Sequence, residues 1–134
     1  MNTEQLPADL IAPWNNGKGR KPYKWNVYPM PIEDHRLVRR LRPTWSKDRF
    51  LAERDAALKV CHELSLQASN AWNEAFNKHG SSGAYYGSRG WDSWPVEVRN
   101  TVGELHVNRC RWHALAMAYH RCAGKMKSTL PAPY

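Results

Sequence analysis

The sequence predicts an all-α fold: a long antiparallel helical hairpin plus one short helix, with an extended basic, aromatic N-terminal arm. Three observations lead there. Apolar residues recur at three- and four-residue steps over 46–79 and again over 95–123, the period of one helix face. Between the two stretches lies GSSGAYYGSRGW, whose four Gly and three Ser read as a loop over 80–94, longer than most helix–helix connections. Pro7, Pro13, Gly17, Gly19 and Pro22 break up the first 22 residues and oppose regular structure there.

The arm covers residues 1–30, and residues 31–134 form a single helical domain. Within the arm, Tyr23, Trp25 and Val27 alternate with Lys24, Asn26 and Tyr28. This suits a short strand or an extended segment lying over helices, since a lone strand has nothing to pair with. The short helix spans 31–41, PIEDHRLVRRL. Pro31 suits its first position, Glu33 and Asp34 its positive end, Arg39 and Arg40 its negative end, and Pro43 stops it. Leu37, Val38 and Leu41 supply an apolar face.

Thr44 or Ser46 can cap the first long helix, and Gly80 ends it. Its stripe runs through Phe50, Ala57, Leu58, Cys61, Leu64, Ala68, Ala71, Trp72, Ala75 and Phe76. Pro95 opens the second long helix, with Ser93 as a cap. Val98, Val102, Leu105, Trp112, Ala116, Tyr119 and Ala123 form its stripe, and Gly124 ends it. The tail, 124–134, is read as extended. Neither long helix hides its stripe alone, so the two pair. The side left open is covered by the short helix with Trp14, Trp25 or Trp45, or by a second copy of the chain in a homodimer.

The 134 residues suffice for one domain with a core that needs no metal or disulfide. Cys61, Cys110 and Cys122 are an odd number without paired spacing, so they read as reduced thiols of a cytoplasmic protein. MNTEQLPADLIAPWN has no basic start before an apolar run, so no signal peptide is expected. No stretch is long and apolar enough to span a membrane.

The charge is +8, and its distribution is uneven. Residues 16–49 carry ten basic side chains against three acidic ones. Such a balance favours anionic partners. Within it, Lys18, Arg20, Lys21 and Lys24 interleave with Trp14, Tyr23, Trp25 and Tyr28, and Arg36, Arg39, Arg40 and Arg42 follow. Cations neutralise phosphates and release counterions, arginine forks grip them bidentately, and aromatic faces stack on unpaired bases. The expected function is therefore non-catalytic nucleic-acid binding to single-stranded or structured RNA or DNA, as an accessory protein or small subunit of a nucleoprotein complex. Its expected contacts are Lys18, Arg20, Lys21, Tyr23, Lys24, Trp25, Arg36, Arg39, Arg40, Arg42 and Arg109. Without a base-reading set, weak sequence preference is expected.

A second reading is a protein-binding inhibitor or adaptor that docks on a host enzyme or nucleic-acid-handling complex. Tyr85, Tyr86, Arg89 and Trp91, set among glycines, would make its contacts.

Enzyme and metal readings fare worse. His62-Glu63 begins like H-E-x-x-H, but Leu66 stands where the second histidine belongs. NNGKGRK lacks the spacing of a phosphate-binding loop. Glu33, Asp34 and His35 are explained as a helix start. His106, Cys110 and His113 share a helix face, but a zinc site needs a further ligand such as Cys61 or His62. An ordinary helix surface is preferred, with no cofactor and no metal. Arg99, His106, His113 and His120 recur every seven residues. They read as a polar face whose histidines strengthen anion binding as they charge below about pH 6.5.

Overall fold

The structure is a computed structural model and describes residues 6–11, 30–80 and 93–126. Among these, three α-helices account for most of the chain: α1 (His35–Leu41), α2 (Lys47–His79) and α3 (Val96–Gly124). A 3-10 turn at Ala8–Leu10 precedes them. The all-α hairpin with one short extra helix is what the sequence predicts, and the long helices begin and end within a residue of the expected positions. At 1.5 Å per residue, α2 is about 50 Å long and α3 about 43 Å.

The ends follow from local chemistry. Ser46 caps α2, its Oγ accepting from the Arg49 N–H at 3.1 Å. Gly80 closes α2 with φ 43°, a left-handed conformation that favours glycine, and its N–H donates to the Phe76 carbonyl at 2.7 Å. At α3 the N-cap is Pro95, without a side-chain hydrogen bond, so Ser93 does not hold the cap position expected of it.

The short helix starts later than its sequence suggests. Asp34 is its N-cap, and its carboxylate accepts from the Arg36 N–H at 3.0 Å. Pro31 stands outside the helix and forms an antiparallel bridge with Ile11, where the Ile32 N–H donates to the Leu10 carbonyl at 2.7 Å. That pairing keeps the backbone extended, and it resumes helical geometry only once Asp34 can serve as cap. The apolar face of α1 also differs from expectation. Val38 is fully buried, whereas Leu37 and Leu41 are 38% and 36% exposed. Of the three apolar residues of α1, Val38 alone is pressed fully into the core.

The core has two parts, one at each end of the hairpin. At the loop end, Trp94, Ala75 and Val102 are buried, with Trp72, Phe76, Ala71 and Val98 packed around them. At the opposite end, Phe50 of α2 meets Leu115, Ala118, Tyr119, Cys122 and Ala123 of α3. Val38 joins this second cluster, as do Leu6 and Leu10 from the segment read as arm.

Helix α3 is thus the central element, packed along α2 and also covered by α1 near its C-terminus. This explains why Leu115, Ala118 and Cys122, off the main predicted stripe, are buried. Trp72 and Trp112, members of the predicted apolar stripes, are only partly buried at the edges of the two clusters, while Trp94 is buried completely.

Candidate nucleic-acid interface

The α1–α2 connection gathers the arginines. Positions 36, 39 and 40 lie at helical steps of three and four, so all three project from one side of α1. Val38, buried against α3, turns that side outward. Arg42 follows the helix, and Pro43 and Trp45 bring the chain round to α2. Arg36, Arg39, Arg40 and Arg42 border one open cleft of about 310 Å³, together with Pro43, Trp45, Phe50 and Met126.

The four arginines are not equivalent. Arg42 grips Asp9 in a two-pronged ion pair, with Nη1 to Oδ2 at 2.6 Å and Nη2 to Oδ1 at 3.0 Å. Its side chain is 17% exposed. The Arg42 guanidinium donates to Asp9 and holds its carboxyl below the usual carboxylate value. In return, the hydrogen bond to Asp9 raises the pKa of Arg42. Arg42 is therefore a structural tie between residues 6–11 and the α1–α2 turn, and not a free phosphate ligand as the sequence suggests. Arg36 is highly exposed and pairs with Asp34 at 3.3 Å, a surface contact of small energetic weight. Arg39 and Arg40 are exposed and make no ion pair among the described residues. They are the cations most available to an outside anion.

Trp45 anchors the cleft wall. Its ring meets Phe50 edge-on at 5.2 Å and Tyr119 at 5.6 Å. The Arg42 and Arg49 guanidiniums lie 5.3 and 4.8 Å from its centroid, within cation–π range. Arg49 also pairs with Glu53 at 3.0 Å. Nearby, Lys47 Nζ donates to the Met126 carbonyl at 3.5 Å. Arg121 donates to the Glu33 carbonyl at 3.2 Å, and the Cys122 thiol to the His35 carbonyl at 3.4 Å. The last two contacts fasten α1 and the residues just before it to α3, so the cleft rests on a packed platform. Burial pushes the Cys122 thiol up to about 11 and the Tyr119 phenol up to about 12; both stay neutral at physiological pH.

Arg109 lies apart from this group. It borders a separate groove of about 320 Å³ with Ser65, Ala68, Ser69, Trp72 and His106, about 20 Å along α3 from Cys122 by helical rise. Its Nη2 lies 3.5 Å from Cys110 Sγ, and His106 Nε2 lies 3.8 Å from the same sulfur. Burial, and then the nearby Arg109 charge, hold His106 below the usual histidine value. It thus charges at lower pH than expected of the seven-residue stripe. That stripe is not one uniform surface: Arg99 donates to the Trp94 carbonyl at 3.1 Å, and His120 Nδ1 meets Arg54 at 2.9 Å. Among the described residues no three His, Cys, Asp or Glu side chains converge as a metal site.

Lys18, Arg20, Lys21, Tyr23, Lys24 and Trp25 lie outside the described residues, as do Tyr85, Tyr86, Arg89 and Trp91. Sequence reasoning missed Trp45, Phe50 and Met126 as cleft residues. Trp45 carries a usable signal, since an aromatic two residues past Pro43, directly after an arginine-rich helix, has a short route back over that helix. Met126 carries none, because only the fold brings the end of α3 beside the start of α2.

Comparison with protein-family models, with curated proteins and with solved structures finds no match to this chain. Among the described residues no helix is long and apolar enough to cross a membrane.

Proposed function

We propose that this protein is a non-catalytic nucleic-acid-binding accessory protein, acting in the cytoplasm and needing no cofactor. It engages phosphates through the α1 arginines and serves as a small subunit of a larger nucleoprotein complex. One observation carries the reading: Arg36, Arg39 and Arg40 converge on one cleft beside Trp45, while the fourth arginine is used internally. Clustered guanidiniums beside an aromatic wall suit phosphate and base together. Basic groups elsewhere in residues 16–49 add to the same electrostatic attraction.

A protein-binding inhibitor or adaptor is the competing reading. It is supported by Leu37 and Leu41, which stand partly exposed on α1 near the arginines and would suit an acidic protein surface with an apolar centre. Binding of the purified chain to short single- and double-stranded DNA and RNA, titrated with salt, separates the two. Submicromolar binding that weakens steeply with salt supports nucleic acid. No binding at low salt supports a protein partner.

A further inference from the structure

We infer that the cleft beside α1 accepts an unpaired nucleobase, so that the ligand is single-stranded rather than duplex nucleic acid. This rests on the nucleic-acid reading above. The argument starts from Arg42. Its charge is already answered by Asp9 through two short hydrogen bonds, so it adds little to phosphate attraction. What remains is a guanidinium held by Asp9, 5.3 Å from the Trp45 ring centroid, and both residues line the cleft. Fixed guanidinium planes and aromatic rings are the surfaces on which splayed bases stack.

The apolar part of the remaining lining is Pro43 and Met126, with Phe50 buried at the base. Arg36, Arg39 and Arg40 complete the lining, and the last two have no ion-pair partner among the described residues. Apolar surface set among arginines matches a nucleotide, whose base is flat and whose phosphate is anionic. The volume of about 310 Å³ lies at the small end of the range for small-molecule pockets, about 300–1,000 Å³. In a duplex the bases are stacked and paired, and only the backbone is offered to the arginines.

Two other grooves among the described residues lack this combination. One, between the loop end of α2 and the start of α3, mixes Glu74, Lys78 and Glu97. The other has Arg109 as its one lysine or arginine.

The test uses the full chain and fluorescence anisotropy with three labelled probes: a 12-mer of thymidines, an abasic 12-mer with the same phosphates, and a 12-base-pair duplex. The thymidine strand should bind most tightly, and the abasic strand roughly five- to one-hundred-fold more weakly. The salt slopes of these two strands should agree, because the phosphates are unchanged. Met126→Glu, which sets a carboxylate on the apolar part of the cleft lining, should bring the thymidine-to-abasic ratio close to one while circular dichroism remains native. Equal binding of thymidine and abasic strands overturns the inference and leaves the phosphate reading standing. A ratio that survives in folded Met126→Glu overturns the assignment to this cleft. Failure of all three probes to bind at low salt overturns the nucleic-acid reading itself.

Discussion

Replacing Val38 by alanine tests the packing that sets the orientation of the arginine face. Val38 is fully buried, while Leu37 and Leu41, the larger neighbours, are more than a third exposed. Val38→Ala removes two methyl groups, about 1.6 kcal/mol by transfer at about 0.8 per carbon. A cavity term of about 1 kcal/mol adds to it, and the better helix propensity of alanine returns about 0.5. The net cost is about 2 kcal/mol. Leu37→Ala and Leu41→Ala remove more atoms, but from positions that water already reaches and where no closed cavity forms, so each costs about 1 kcal/mol or less. In a chain of this size the Val38 change lowers Tm by roughly 6–10 °C. Urea unfolding followed by circular dichroism, with unchanged m-values, measures all three. If Leu37→Ala or Leu41→Ala costs as much as Val38→Ala, α1 is rotated from the position described, and the arginines do not share one outward face.

Asp9→Asn should cost about 0.5–1 kcal/mol at pH 7, because Asp9 remains half exposed and solvent screens the pair even though Arg42 is mostly covered. The folded-state pKa of Asp9 is lowered. This stabilisation is therefore full above the unfolded carboxylate value and lost as pH falls through the folded one, and wild type and variant should converge in acid-unfolding curves once the pH is below that lowered folded value. Trp94→Ala should destabilise by about 3–5 kcal/mol, since its ring is buried completely. Trp72→Ala should cost less, and paired thermal melts give the order. At pH 8 a thiol reagent should label Cys110 first, because Cys61 and Cys122 are buried and burial raises both their pKa values; peptide mass spectrometry reads the site.

The long helices were legible because many side chains agree on one period: Phe50, Ala57, Cys61, Leu64 and Ala75 in α2, and Val102, Leu105, Ala116, Tyr119 and Ala123 in α3. Seven residues carry no such redundancy. In α1 the choice between Leu37, Val38 and Leu41 as the buried residue depended on where α3 lay, and the Ile11–Pro31 bridge moved the helix start by closing a contact twenty residues apart in sequence. The burial of Cys122 and Leu115 had the same origin: α3 is covered by α1 as well as α2, a tertiary fact. For the candidate site, composition pointed to the arginines but could not tell Arg42, tied to Asp9, from Arg39 and Arg40. An ion pair spanning 33 positions leaves no local pattern.

The central claim, that the α1 arginines meet phosphates, is tested most directly by the salt dependence of binding to a single-stranded 12-mer. Wild type is compared with a variant carrying Arg36→Ala, Arg39→Ala and Arg40→Ala. Each phosphate contact on a single strand contributes about 0.7 to the slope of log affinity against log salt. The account predicts a variant that folds normally, binds more weakly and has a slope shallower by about 2. A folded variant with the same affinity and slope as wild type would contradict it.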